Sequence, residues 1–205
     1  TRGMTEKINE LITVAEPRSA ISEAYRTLRT NLDFASLDQA LKTLVITSAG
    51  VGEGKSTTLA NLAVVSAQAG RRVILVDADL RRPTLHQILG AKNDTGLTSM
   101  VVDEARLTAP PLQETGIPGL SLLSSGPLPP NPAELLGSRR MAEVIAALAE
   151  EADQVFFDTP PVVAVTDAAV LATRVDGVLL VIGAGKTRRE YARMAVQRLQ
   201  QINAR

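Results

Sequence analysis

Leu44–Leu59 reads LVITSAGVGEGKSTTL, and the order of residue types in it decides the fold. A short apolar, β-branched run (Leu44, Val45, Ile46) gives way to glycines at alternate positions, Gly50, Gly52 and Gly54, and then to Lys55-Ser56-Thr57 ahead of a helical pattern. Glycines permit a turn whose successive N–H groups point inward. A helix N-terminus adds positive potential at the same point, so a strand, turn and helix in this order can cradle a polyphosphate. Lys55 is then placed to reach the β- and γ-phosphates, and the Ser56 hydroxyl to ligate Mg²⁺. Gly50, Val51, Gly52, Glu53, Gly54, Lys55, Ser56 and Thr57 are the candidate nucleotide contacts. The usual pattern G-x-x-x-x-G-K-[ST] has its first glycine where this chain has Ala49. Alanine is the smallest replacement and the glycines after it keep the backbone free, so the loop is read as a working one.

Outward from the loop, Ser56–Ala69 reads as an Ala- and Leu-rich helix closed by Gly70 as its C′ residue. Arg72–Asp77 (RVILVD) is a continuous apolar run ended by an acid, as a buried parallel strand should be. Leu120–Ser124, Gln154–Asp158 (QVFFD) and Gly177–Ile182 repeat the strand pattern. Helices are expected near Thr98–Asp103, after Asn131-Pro132, across Arg139–Glu151, and over Thr166–Thr173 and Thr187–Ile202. In the last of these, Tyr191, Ala195, Leu199 and Ile202 mark the expected buried stripe. Alternating strands and helices give an α/β fold, a P-loop NTPase-like parallel β-sheet of five strands flanked by helices on both faces.

Three acids end apolar strands or follow one closely: Asp77, Asp79 and Asp158. The carboxyl ends of strands are where open α/β sheets bind ligands. An acid after a hydrophobic strand is the second half of a phosphate-loop site, where it holds Mg²⁺ directly or through water. Ser56, Asp77, Asp79 and Asp158 are the candidate metal ligands. One of the carboxylates is also available to take a proton from an incoming hydroxyl, a phenol of pKa about 10 in the case of tyrosine.

The chain has 205 residues, 45% of them hydrophobic. That is enough for one domain with a sizeable core. Aromatics make up 2%, so that core must be aliphatic. With 22 basic and 22 acidic side chains, bulk electrostatics gives no reason to expect nucleic acid as a partner. The absence of cysteine removes disulfides and thiolate metal sites. No apolar run is long enough to span a bilayer, and no secretory signal is visible, so the chain is expected to be soluble.

Thr1–Glu16 carries no sharp signal and is taken as an N-terminal extension, with Thr1-Arg2-Gly3 set aside as an expression remnant. Ser19–Phe34 is expected to be a helix whose apolar stripe is Ile21, Tyr25, Leu28 and Leu32. Glu23, Arg26 and Arg29 project from its other side. By spacing alone they are a solvated charged face with a Glu23–Arg26 pair, or a subunit contact in which arginine forks onto a neighbour's carboxylate. Arg81 and Arg82 follow the acid pair and are either contacts to phosphate or a substrate peptide, or a solvated loop; the lone His86 reads as structural, and Arg139 and Arg140 as cover for a helix start.

These motifs together resemble the cytoplasmic kinase domain of the bacterial tyrosine kinases that govern capsular and exopolysaccharide synthesis and export. SAGVGEGKS is similar to that family's Walker A motif, VILVDADLRRP to its Walker A′ and VFFDTPP to its Walker B, while PPNPAELL and VTDAAVLA also fit. Glu23-x-x-Arg26-x-x-Arg29 resembles its oligomerisation motif, which moves the reading of that helix toward a subunit contact. The resemblance runs from about Glu16 to Gln201 and implies a single kinase domain over 1–205. It implies ATP as phosphoryl donor and ADP as product, Mg²⁺ as the ion, and Lys55, Asp77 and Asp79 as catalytic residues, with Asp77 favoured as base. Asp79 and Asp158 then stand mainly on the magnesium side. It also implies phosphorylation in trans within a ring-shaped homo-oligomer, commonly an octamer. A transmembrane activator or fused domain would hold the protein at the inner face of the cell membrane, with tyrosine-containing proteins as substrates.

The family's acceptor is a tyrosine-rich C-terminal tail, and this sequence departs there: its tyrosines are Tyr25 and Tyr191, both expected in core stripes. The rival within the fold is a partition or septum-site ATPase, or a nucleotide-gated scaffold without kinase activity. The partition type has a signature lysine where this chain has Gly50.

Overall fold

The computed structural model describes residues 6–37 and 39–205. Thr1-Arg2-Gly3 therefore lies outside the described residues, as do Met4 and Thr5 of the expected extension. The elements are α1 (Ile12–Ala15), α2 (Ala20–Ala35), β1 (Thr43–Ser48), α3 (Lys55–Gln68), β2 (Val73–Asp77), α4 (Leu85–Leu89) and α5 (Leu97–Val102). After a 3₁₀ turn at Glu104–Leu107 come β3 (Gln113–Glu114), β4 (Leu120–Leu123), α6 (Pro132–Gly137), α7 (Arg139–Glu151), β5 (Gln154–Asp158), α8 (Asp167–Ala172), β6 (Gly177–Val181) and α9 (Arg189–Gln201).

Six strands form one sheet in the order β3-β4-β2-β5-β1-β6. All neighbours run parallel except β3, which pairs antiparallel with β4 through Gln113↔Leu122 and Glu114↔Ser121. The five expected strands form the parallel sheet, and the sequence reading misses only the sixth, antiparallel edge strand β3. A two-residue strand has no period for a sequence reading to detect, and Gln113-Glu114 lacks β-branched residues. Leu85–Leu89 is likewise invisible as a helix in the sequence, being barely more than one turn long.

Period-two alternation feeds two cores. Leu44, Ile46, Leu75, Leu122 and Phe156 pack with Leu59, Leu62 and Ala63 of α3 on one face. Val45, Val76, Leu123, Val155 and Phe157 pack with Met141, Val144 and Leu148 of α7 on the other. Such burial on both faces explains why the strands read as unbroken apolar runs. β1 is the strand between β5 and β6, and every one of its residues is buried.

Two stripes are corrected. In α2 the inward positions are Ser22, Tyr25, Leu28 and Leu32, while Ile21 is 57% exposed. Ser22 takes the inward site because its hydroxyl donates to the carbonyls of Ile12 and Glu16, tying α1 to α2. In α9, Ala195 and Leu199 are buried with Ile202 packed beside them, but Tyr191 is 46% exposed. That helix begins at Arg189, not Thr187, because the Thr187 hydroxyl is engaged with the phosphate loop.

Candidate active site

The turn between β1 and α3 carries the chemistry. Gly52 and Gly54 both have positive φ, in the left-handed region, and Gly54 is the N-cap of α3. A side chain would be strained there, which is why glycine stands at both positions. Ala49 needs no such freedom. Among the described residues the one non-glycine with positive φ is Asn203. The Ala49 methyl is buried and packs with Val162, Ala168, Ala195 and Leu199, so the departure from the glycine pattern is accommodated by packing.

Lys55 and Ser56 open α3 and meet Asp158 at the end of β5. Lys55 Nζ donates to Asp158 Oδ1 at 2.5 Å and to Ser56 Oγ at 3.0 Å, and Ser56 Oγ donates to Asp158 Oδ2 at 2.5 Å. Asp158 has no exposed surface. Burial pushes its carboxyl above the ordinary range, and the Lys55 ammonium and Ser56 hydroxyl pull it back.

Asp77 ends β2 directly opposite Asp158 in the parallel register. It is fully buried, and its Oδ2 accepts from the N–H groups of Thr84 and Leu85 at 3.0 and 2.9 Å. Its Oδ1 has no hydrogen-bond partner among the described residues. Burial first, and then the Asp158 carboxylate, raise its pKa to about 7, against the Leu85 N–H. Asp79 lies beyond the strand, and its Oδ1 accepts from the N–H groups of Arg81 and Arg82 at 3.3 and 3.0 Å. Asp77 and Asp79 therefore do not face the site alike: Asp79 lines the cavity and Asp77 lies behind it.

The cavity measures about 650 Å³ and runs along Gly50–Thr57, Asp79, Arg81, Arg82 and Thr84 to Gln87, Ile88, Pro160, Pro161 and Val165. Every expected nucleotide contact lines it. Arg81 forks onto Asp167 of α8, with Nε and Nη2 each 2.9 Å from a carboxylate oxygen, and Asp167 is fully buried. His86 does not line the cavity, and burial lowers its pKa. Arg139 and Arg140 pair with Glu143, and Arg140 also with Glu104, away from the site.

The oxygen-rich set of Ser56, Asp77, Asp79 and Asp158 suits a hard cation. Among the described residues no group of three or more His, Cys, Asp or Glu side chains could hold an ion by itself. That fits Mg²⁺ held by one or two protein oxygens together with phosphate and water.

The motif helix is split by the structure. Glu23 and Arg26 form the expected pair at 2.7 Å on the surface. Arg29 does not project with them: its Nη1 donates to the Val65 carbonyl of α3 at 3.1 Å. Sequence reasoning also misses Asp167 and Thr187. Asp167 has a signal, an acid at the first position of a helix; Thr187 has none beyond lying after a strand.

A strand, cradle and helix with a buried acid opposite the lysine define a nucleotide-binding domain, and the profile of the CobQ/CobB/MinD/ParA nucleotide binding domain matches residues 44–191. Within that class the chain belongs to the bacterial tyrosine-protein kinases. It is 49% identical to tyrosine-protein kinase YwqD of Bacillus subtilis (strain 168) over 189 residues, 92% of this chain and 79% of that one. Against Tyrosine-protein kinase wzc of Salmonella typhi it is 37% identical, over 96% of this chain but 26% of the relative. The kinase domain of Escherichia coli tyrosine kinase ETK superposes with a TM-score of 0.88 at 35% identity, over 95% of this chain and 76% of that one. Among the described residues no helix is long and apolar enough to cross a membrane.

Proposed function

We propose that this chain is one protein-tyrosine kinase domain spanning 1–205, which transfers the γ-phosphoryl group of ATP to tyrosine in trans. On this reading it works within a ring-shaped homo-oligomer, commonly an octamer, and regulates exopolysaccharide or capsule synthesis and export. The observation that carries the reading is the contact of Lys55, Ser56 and Asp158 at the mouth of a glycine cradle, beside two further aspartates. In this arrangement Lys55 neutralises a buried carboxylate, so nucleotide binding exchanges one anion for another at the same ammonium. Mg²⁺ would be held by Ser56 with Asp158 and Asp79 and would supply charge neutralisation at the phosphates. Phosphoryl transfer asks mainly for positioning and electrostatics, which the loop amides and Lys55 provide.

Asp77 is the proposed base. Its unpartnered Oδ1 and a pKa of about 7 match a proton acceptor working near neutrality. Asp79, on the cavity wall, belongs to the metal side. Glu23, Arg26 and Arg29 are proposed to serve assembly, and a transmembrane activator or fused membrane domain to hold the protein at the cytoplasmic face. Tyrosine-containing proteins are the substrates, with no role for nucleic acid.

Purified protein with Mg-ATP should phosphorylate a tyrosine peptide, and Lys55→Met should abolish this. Asp77→Asn should remove the neutral-pH limb of the rate profile, whereas Asp79→Asn should raise the magnesium requirement. A wild-type protein that binds ATP but phosphorylates no tyrosine would sink the kinase reading in favour of a nucleotide-gated scaffold.

A further inference from the structure

Tyr191 stands apart from the other tyrosine. Tyr25 packs against the core beneath α2. Tyr191, in the first turn of α9, is 46% exposed, and its ring borders a hollow of about 210 Å³. The hollow is also lined by the first half of the phosphate loop, Gly50–Glu53, and by Lys186, Thr187 and Arg188. Within its lining the Thr187 hydroxyl donates to Glu53 Oε1 and accepts from the Gly183 N–H. Lys186 and Arg188 are exposed, and among the described residues neither forms an ion pair. Two unpaired cations thus flank an accessible phenol, a setting in which an added phosphoryl group finds charge-assisted partners.

We propose that Tyr191 is a phosphorylation site of this chain, modified by the active site of a second copy. The proposal rests on the kinase reading and names an acceptor for it. Transfer from a second copy follows from placement: Tyr191 lies on the outer side of its own phosphate loop and does not line the cavity that holds Asp79, Arg81 and Arg82. In the step, the Tyr191 phenolic oxygen bonds to the γ-phosphorus of ATP bound by the donating copy. The bond from that phosphorus to the β,γ-bridging oxygen breaks, and ADP leaves with the electron pair. The phenolic proton is taken up by the paired carboxylates of the donating copy, of which Asp79 lines the cavity and Asp77 lies behind it. The product is a dianionic side chain beside Lys186 and Arg188.

The test uses the full chain with Mg-ATP and phosphopeptide mapping, with a tyrosine peptide as a separate readout. Wild type should gain phosphate at Tyr191, and Lys55→Met alone should gain none. Lys55→Met mixed with Tyr191→Phe should be labelled at Tyr191, because the second variant keeps its own catalytic machinery. Tyr191→Phe should phosphorylate the peptide at the wild-type rate. Peptide phosphorylation with an unmodified Tyr191 overturns the proposal and leaves the kinase reading intact, as does labelling confined to Tyr25. Labelling of Tyr191 in wild type but not in the mixture overturns transfer between copies. Failure of both readouts removes the proposal together with the kinase reading.

Discussion

The two sides of the phosphate loop contrast. On the inner side Lys55, Asp77 and Asp158 are buried, and the lysine and Asp158 are held by contacts of 2.5 to 3.0 Å. On the outer side Val51, Lys186, Arg188 and Tyr191 are exposed, joined to the loop mainly through Thr187 and Glu53. The inner side keeps charged groups out of water and depends on the compensation between Lys55 and Asp158, so removing one partner of that pair is costly. The outer side has little to lose. One loop therefore separates a region where a substitution is felt in stability from one where it is felt, if at all, in modification.

The contrast breaks first, if it breaks, at Lys55. Lys55→Met leaves the Asp158 carboxylate buried without its counter-ion. This should cost about 3–5 kcal/mol above neutral pH, the usual penalty for breaking a buried pair. The loss should shrink in acid, where the carboxylates protonate, and denaturant melts at two pH values check both points.

Asp77→Asn sharpens the same side. A carboxyl raised in the folded state binds protons more tightly there than in the unfolded chain. Its contribution therefore falls as pH rises from 3.8 to about 7 and is a penalty above that window. The variant should flatten this slope by on the order of 4 kcal/mol in all, at about 1.4 kcal/mol per pH unit. It should be more stable than wild type at alkaline pH without nucleotide. An unchanged slope would mean Asp77 is solvated.

Thr187→Val tests the link between the sides, where the hydroxyl meets Glu53. It should cost about 1 kcal/mol, the worth of a hydroxyl hydrogen bond. Tyr191→Phe, on the outer side alone, removes only an exposed hydroxyl. Its stability in the same melts should match wild type to within about 0.5 kcal/mol, as for most surface substitutions.

Most of the inner side is legible in the sequence. β1, the cradle and α3 follow from apolar residues, glycines and a lysine in fixed order, and Asp158 announces itself by ending QVFFD. What cannot be read is which carboxylate the cavity touches. Asp77 and Asp79 are two apart, but β2 ends between them and the chain turns, so their side chains part. On the outer side, period 3.6 assigns Tyr191 to the buried stripe because spacing counts from the middle of a helix. In the first turn of α9 no element covers the ring, and the stripe begins at Ala195. Arg29 departs in the opposite sense: a charged residue on a polar face turns inward because the Val65 carbonyl lies within its reach.

β1 is residue 43 to 48 in sequence but sits between β5 and β6 in space. A single oxygen of Asp176, Oδ2, accepts from Lys42 N, Thr43 N and Thr43 Oγ1, stapling the entry of that strand to a turn far along the chain. During biosynthesis the cradle therefore leaves the ribosome long before either of its neighbours exists. β1 cannot pair until the last third of these residues has been made, so the sheet that carries the cradle can close only late in synthesis.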